Sequence, residues 1–439
     1  MKRLLSVALV FAIALVLAPV AFSSGGTEAG KGQKAELTFW GVHTEGPESG
    51  AAMQLMVDQF NSTHPDIVVK YQQVTGSVVY PKFLTAARGG DMPDVADGYA
   101  FHPLQFAAMN QMLPLDDVIA EWQKSGQIDQ LTNPIAYKTF LWNGHYWAVP
   151  WALDIRCIYY RSDWLKDAGI APPTDWDSFQ KAVVKMNQPD KNIFGLSMPA
   201  GDFWITQHYL HMFMVQNGGT IIDDKGKLAF GSSSKAANVG ALRYMTDFYT
   251  KYHVTPPGIA SYNTDEEETI FVQEKAAFLL GRGGTETRFL TERADLIDKI
   301  GVLDTLKGPV AKLTTGFYNP LFIWKGTKYP EAAKTFLKYI ARPGVMKPLY
   351  EARPGQQWSV WKPDFTMEVW NKAPQMKEMN TKVIPYVVPF NYPSGAVPQM
   401  GVIDGEKMTA KPVNSVIAGG LTPEQAIDEA QAAMAKLWK

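Results

Sequence analysis

The stretch Ala35-Glu36-Leu37-Thr38-Phe39-Trp40-Gly41 decides the fold, because it is a strand followed at close range by a helix and a second strand. Apolar residues then recur at the i, i+3, i+4 and i+7 spacing of a helix face, namely at Met53, Met56, Val57 and Phe60. Pro65 ends that predicted helix, and Ile67–Val74 predicts the second strand. Strands that alternate with helices indicate parallel β-α units, so the sequence predicts an α/β protein.

The first 23 residues have the layout of a secretory signal peptide. Lys2 and Arg3 supply positive charge, Leu4–Leu17 is an apolar run, and Ala21–Ser23 offers small residues for cleavage. The alternative is an uncleaved anchor, which is disfavoured because the run is shorter than the roughly 20 residues of a membrane-spanning helix. Residues 24–34 are expected to be a flexible polar lead-in. Since no cysteine lies near the cleavage site, we expect an exported protein without a lipid anchor.

Size and composition narrow the class of protein further. About 415 residues follow the predicted signal peptide, more than one hydrophobic core usually supports, so we expect two lobes. The 42 basic and 43 acidic residues nearly cancel, which argues against nucleic acid as a partner. Cys157 is the single cysteine and lies in an apolar stretch, which predicts a packed, inert thiol. The 13 tryptophans indicate flat aromatic faces of the kind on which sugar rings stack.

Further motifs follow in a fixed order along the chain. Pro93–Val95 predicts a buried strand, and Asn143–Pro150 predicts a hairpin with an Asn-Gly turn that leads into another strand. Tyr159–Arg161 continues that strand. Phe271–Phe278 predicts a helix that turns into a strand, with Glu274 at the turn.

Together with Leu37–Trp40 and the helix end at Phe60–Pro65, this ordered set resembles the family of extracellular sugar-binding proteins of ABC transporters, those similar to maltose-binding protein. The likeness extends over nearly the whole chain after the signal peptide. Glu274 departs from the family pattern, which usually has glycine there. The resemblance implies the type II periplasmic-binding-protein fold, in which two discontinuous α/β lobes are joined by a hinge and trap the ligand between them.

The resemblance also implies where the lobes divide. The first lobe is predicted to comprise residues 35–153 with about 316–385, and the second residues 154–315 with about 386–439. The chain is expected to cross the hinge near Ala152–Asp154, near Thr314–Tyr318, and once more between about Arg353 and Pro393.

The function implied is that of a periplasmic substrate-binding component, which captures a sugar or small oligosaccharide and delivers it to the permease. The resemblance implies a monomer without catalysis, cofactor or metal. We expect the periplasm because a binder without an anchor would be lost from a cell that lacks an outer membrane. Two alternatives stay open: a binder of another solute, such as a polyamine, peptide or metal complex, and a secreted glycoside hydrolase, whose cleft also holds carboxylates and tryptophans.

Candidate ligand contacts follow from the chemistry of a sugar, which presents paired hydroxyls and apolar ring faces. Carboxylate, amide and guanidinium groups beside aromatic rings suit both features. Such side chains occur after predicted strands and at predicted hinge crossings, where α/β sheets bind ligands. They are Trp40, His43, Glu45, Asp97, Tyr99, Trp151, Asp154, Trp204, Arg282, Asn319, Gln356 and Trp358. The structural alternatives are a core position for Trp40, a turn for Asp97 and an ion pair with Arg156 for Asp154.

Two other patterns are interpreted as structural. His208 and His211 are three residues apart on a predicted helix, but their apolar neighbours favour two packed histidines over a pair of metal ligands. Asp265–Glu268 is expected to be the exposed first turn of a helix, where negative charge suits the helix dipole.

Overall fold

The computed structural model describes residues 34–42, 46–393 and 397–438. The predicted signal peptide, most of the lead-in, His43 and Glu45 lie outside these residues. The strands are β1 (Ala35–Gly41), β2 (Ile67–Gln73), β3 (Val95–Asp97), β4 (Leu141–Trp142), β5 (His145–Tyr146), β6 (Val149–Arg161), β7 (Phe194–Ser197), β8 (Ala276–Arg282), β9 (Ile300–Val302), β10 (Thr314–Ile323), β11 (Trp358–Ser359) and β12 (Val387–Pro389).

The α-helices connect these strands and cover the sheet. They are α1 (Pro47–Thr63), α2 (Gly76–Gly89), α3 (His102–Ala108), α4 (Asp116–Lys124), α5 (Ile135–Lys138), α6 (Ser162–Asp167), α7 (Trp176–Met186), α8 (Trp204–Gln216), α9 (Lys235–Thr250), α10 (Thr264–Val272), α11 (Thr285–Glu292), α12 (Pro330–Ile340), α13 (Lys347–Ala352), α14 (Pro374–Lys382), α15 (Gln399–Gly405), α16 (Ala410–Ile417) and α17 (Pro423–Met434). None of the helices in the described part of the chain is both long and apolar enough to cross a bilayer.

The first β-α-β unit has the predicted form. β1 pairs in parallel with β2 along its whole length, from Ala35 opposite Ile67 to Gly41 opposite Gln73. The helix α1 between them buries the predicted apolar positions, which are Met53, Met56, Val57 and Phe60. A proline in its first turn suits the helix start, where no intrahelical N–H bond is lost.

One sheet runs through the molecule in the order β2-β1-β3-β10-β6-β8-β7. The outer strands pair in parallel, β2-β1-β3 at one end and β8-β7 at the other. The central strands β10 and β6 are antiparallel to each other and to their neighbours β3 and β8. The two long central strands therefore connect two parallel α/β halves.

Two hydrophobic cores pack around this sheet. The first contains β1, α1 and α12, and the second lies around α8, α9 and α17. Both central strands contribute to both cores: Ile155 and Leu321 belong to the first, Ile158 and Phe317 to the second. The predicted second-lobe range also contains residues of the first core, such as Phe271, so the cores do not follow the predicted lobe boundaries, which stay a prediction.

Several local predictions are confirmed. Asn143 and Gly144 have φ angles of 52° and 80°, as a tight hairpin turn between β4 and β5 requires. Glu274 has a φ of 61°, which explains why glycine is usual at this turn. Cys157 is buried, and burial raises the pKa of its thiol well above the usual value.

One local prediction is wrong: the acidic run at 265–268 is not an exposed turn throughout, as its second half is buried. The cap of α7 is Asp175, whose side chain accepts from the backbone N–H of Ser178 while the Ser178 hydroxyl accepts from the backbone N–H of Asp175. Around residues 220–230 the chain makes a tight turn with an antiparallel bridge between Ile222 and Leu228.

Candidate functional site

The central strand β6 presents two different faces from Ala152 onward, since successive strand residues point to opposite sides. We call the side of Ala152, Asp154 and Arg156 the front face of β6, and the side of Leu153, Ile155 and Cys157 its back face. Across the sheet, Asp154 pairs with Phe317 of β10 and Arg156 pairs with Arg282 of β8. The front face therefore gathers charged residues from β6 and β8.

Asp154 forms a bidentate ion pair on the front face. Its two carboxylate oxygens accept from Nη1 and Nη2 of Arg156 at 2.7 and 2.9 Å. The Arg156 side chain is fully buried, whereas that of Asp154 is 25% exposed. The guanidinium carbon lies 5.4 Å from the ring centre of Trp204 and 5.3 Å from that of Phe317. Asp154 and Trp204, two predicted ligand contacts, thus meet around one arginine.

Arg282 forms a second ion pair at the carboxyl end of β8. Its Nε donates to Oε1 of Glu268 at 3.2 Å, and the Thr285 hydroxyl donates to the same oxygen at 3.1 Å. Burial opposes the charge of Arg282, but the carboxylates of Glu268 and Asp154 outweigh it and raise the pKa of the guanidinium. The Asp154–Arg156 ion pair and the Glu268–Arg282 ion pair are therefore neighbours.

Glu267 and Glu268 on α10 are buried carboxyls at positions where the sequence pattern predicts an exposed helix start. They are 0% and 1% exposed, and burial raises the pKa of Glu267 well above its usual value. No partner for the Glu267 carboxyl oxygens occurs among the described residues. A signal was present: Phe271 is the apolar anchor of this helix, and residues three and four positions before it share its face.

The first half of the sheet brings Trp40, Asp97 and Tyr99 to the carboxyl ends of adjacent strands β1 and β3. Asp97 is fully buried, and its Oδ1 accepts from the backbone N–H of Val42, which ties the two strand ends together. Trp40 is half-buried between neighbours. Its ring stacks on Phe83 at 5.9 Å, and Nζ of Lys82 lies 3.9 Å from the ring centre. Tyr99 is 38% exposed.

Asn319 lies on β10, and Gln356 lies two residues before β11. Asn319 is 2% exposed and donates through Nδ2 to Oε1 of Gln357 at 2.7 Å. Gln356 is half-buried. Its backbone packs closely on Gly284, where an added Cβ would come within 3.0 Å of the Gln356 Cα. Glycine at 284, with a φ of 98°, therefore permits this close approach.

Trp151 and Trp358 are both fully buried. Trp151 occupies a β-bulge, since Pro150 and Ala152 pair with consecutive residues of β10 and leave Trp151 between them. Trp358 pairs with Leu153, lies on the back face and stacks on Trp370 at 4.9 Å. The packing of both rings is that of core residues, and their contact with a ligand stays a prediction.

The two histidines of α8 are packed, as predicted. His208 and His211 are 5% and 0% exposed, and burial lowers the pKa of His211 to about 3. Within the ranges that the structure describes, no group of three or more His, Cys, Asp or Glu side chains is arranged to hold a metal ion.

The fold is that of two-lobed sugar-binding proteins of transporters. A sugar transporter protein from Arthrobacter chlorophenolicus A6, solved with bound laminaribiose, has a TM-score of 0.78 and 24% identity, and the match covers 92% of this chain and 100% of that chain. Maltose-bound MalE3 of T. maritima has a TM-score of 0.73 and 22% identity, with 92% and 100% covered.

Sequence comparison gives relatives of the same kind. The mannitol-binding protein of Pseudomonas aeruginosa is 21% identical over 294 residues, which are 65% of this chain and 64% of that protein. The family model described as bacterial extracellular solute-binding protein matches residues 44–347, well over half of the 439 residues. This chain therefore belongs to the family of bacterial extracellular solute-binding proteins.

Proposed function

We propose that this protein captures a sugar or small oligosaccharide in a cleft between two lobes and delivers it to the permease of an ABC transporter. It acts in the periplasm as a monomer. The proposed lobes comprise residues 35–153 with about 316–385, and residues 154–315 with about 386–439. The resemblance in fold to proteins solved with laminaribiose and maltose supports the ligand class.

The observation that carries the proposal is the pairing of charges beside Trp204. Asp154 is paired with Arg156, and Glu268 is paired with Arg282. An ion pair carries no net charge and so does not attract ions, but the remaining lone pairs of its carboxylate form strong hydrogen bonds with neutral hydroxyls. The half-buried Trp204 ring adds an aromatic face. This combination suits an uncharged polyhydroxylated ligand better than a polyamine or an anion.

The test is isothermal titration calorimetry of the purified protein with laminaribiose, maltose and mannitol, and with putrescine and a tripeptide as charged comparisons. A ligand that binds only the folded state also raises stability, by about 2.7 kcal/mol at a hundredfold excess over Kd. We expect saturable binding of at least one neutral compound, with the sugar recovered intact. Binding of the charged compounds alone would overturn the sugar assignment, and release of monosaccharides would indicate a hydrolase.

A pair of variants locates the binding. Asp154→Asn keeps the size of the side chain but removes the charge that orders hydroxyl groups, so we expect Kd to rise by about tenfold, the loss of one charge-assisted hydrogen bond. Asp177→Asn is the matched control, because Asp177 is an exposed carboxylate that pairs with Lys181 on α7. Equal affinities in both variants would place the ligand elsewhere.

A further inference from the structure

The Arg156 guanidinium on the front face of β6 has no N–H left for a ligand. Its five N–H groups make five hydrogen bonds. Two go to Asp154, one goes to the Ile155 carbonyl at 2.9 Å, and two go to Nδ1 of His208, at 3.2 Å from Nε and 2.7 Å from Nη2. The side chain is also fully buried. Arg156 therefore acts on the site through Asp154, whose carboxylate is the exposed end of the pair.

His208 fixes the other side of the guanidinium. A guanidinium only donates, so Nδ1 of His208 must accept and the ring proton must sit on Nε2. Nε2 faces Oδ1 of Asp404 on α15 at 3.8 Å. Asp404 is held in turn by Nε2 of Gln207, which donates to the same Oδ1 at 2.8 Å, and the Thr409 hydroxyl donates to Gln207 at 3.2 Å.

We propose that His208 and Arg156 are positioning residues for the ligand carboxylate of Asp154. His208 receives the inner edge of the guanidinium and so sets the plane in which its outer edge holds both Asp154 oxygens. Each Asp154 oxygen then keeps a lone pair for a ligand hydroxyl on the exposed part of the side chain, which is 25% exposed. This inference rests on the proposed function, since it assumes that Asp154 receives ligand hydroxyls.

The surroundings of His208 keep its ring neutral. The groups that face it are Arg156 on β6, His211 on its own helix and Asp404 on α15, and the aromatic rings of Trp204, Phe317 and Phe390 enclose it. Burial, followed by the charge of Arg156, holds the pKa of His208 well below its usual value. A neutral ring preserves the acceptor that Arg156 requires at every pH near neutrality.

His211 supplies a matched control for His208. Both lie on α8 and are buried, and both pack against Phe390, at 4.8 Å for His211 and 5.8 Å for His208. Nδ1 of His211, however, hydrogen bonds with the Thr315 hydroxyl at 2.7 Å instead of with Arg156. Replacement of either ring by leucine therefore disturbs the core similarly, but only one replacement frees the guanidinium.

The experiment compares His208→Leu, His208→Asn and His211→Leu, with affinities for laminaribiose, maltose and mannitol measured by calorimetry at pH 7. His208→Leu should weaken binding by about tenfold, because one charge-assisted contact is misdirected. His208→Asn should restore most of the affinity, since its amide oxygen can stand where Nδ1 accepts. His211→Leu should bind like the wild type once both leucine variants are shown to be folded by circular dichroism.

A measurement without any ligand separates the two proposals. In ¹⁵N-resolved NMR of the wild type, His208 should be the Nε2–H tautomer without titration between pH 5 and 8. A charged ring or an Nδ1–H tautomer would overturn the positioning role, as would equal losses of affinity in His208→Leu and His211→Leu. If the wild type binds none of the three compounds, the proposed function fails, and the tautomer alone then decides whether His208 positions the Asp154–Arg156 pair.

Discussion

The front and back faces of β6 differ in chemistry although their residues alternate along one strand. The front face carries Asp154 and Arg156, whose ion pair lies beside Trp204. The back face carries Leu153 and Ile155, both fully buried, and packs on the Trp358 ring. A strand that lies between two layers therefore presents charged side chains of the candidate site on one side and core side chains on the other. Each face has a tryptophan ring beside it, so the two faces differ in the charge of their own side chains and not in aromatic content.

The largest effect is expected on the back face, from Trp358→Ala. Removal of a fully buried indole should lower the free energy of unfolding by about 3–5 kcal/mol, because the neighbouring rings cannot close the cavity. Urea denaturation followed by circular dichroism measures the change, and Trp358→Phe should lose less. A variant of unchanged stability that no longer binds sugar would show that this ring belongs to the ligand site.

A smaller effect on stability is expected on the front face, from Asp154→Asn. The fully buried Arg156 then keeps a neutral amide in place of a carboxylate, which should cost about 1.5–3 kcal/mol. The control Asp177→Asn removes the exposed ion pair with Lys181 on α7, which should lower the free energy of unfolding by only about 0.3–0.5 kcal/mol. Similar values for the two variants, by the same urea titration, would mean that the front-face pair behaves as a surface pair.

The pH dependence of the free energy of unfolding reports on one carboxyl group on each side of β6. Burial raises the pKa of Asp404, near the front-face network, and of Glu286, near Tyr159 of the back face, each to about 7. Their usual values are 3.8 and 4.5, so the native state holds these protons more tightly than the unfolded chain does. Their contribution to stability is complete below pH 4 and is lost as the pH rises to 7.

Each group gives a slope of about −1.4 kcal/mol per pH unit within that window. Asp404→Asn and Glu286→Gln should each remove one such slope and leave the other. Thermal unfolding of both variants from pH 4 to pH 8 measures this, and a profile identical to that of the wild type would show that the acid in question is ionised throughout.

Apart from the Asp177→Asn control, the smallest effect is expected in the first half of the sheet, from Lys82→Met. The ammonium lies over the Trp40 ring at 3.9 Å, and loss of this cation–π contact should cost about 0.5–1 kcal/mol. Sugar affinity measured by calorimetry should stay unchanged if Trp40 serves mainly to hold the strand end. An affinity change of tenfold would instead assign the Trp40 face to the ligand.

The sequence predicts a site residue correctly where its partner lies close by in the chain, and wrongly where its partner lies on another element. Asp154 was recognised as either a ligand contact or the partner of Arg156, and the structure pairs it with Arg156 while leaving it partly exposed. Glu268 was read as an exposed residue, because a run of four acids looks like a solvated helix start, yet it is buried against Arg282. The charge that compensates it lies on another strand, which a local pattern cannot reveal.

The sequence by itself determined the α/β class, the first β-α-β unit and the hairpin at Asn143–Gly144, because apolar periodicity and turn chemistry act over a few residues. Only the tertiary structure decided which side of β6 faces its ion pairs and which faces Trp358. It also decided that His208 accepts from Arg156 and that Glu267 is buried. These outcomes depend on contacts between residues far apart in the chain, whose burial and pairing are set only when the sheet is assembled.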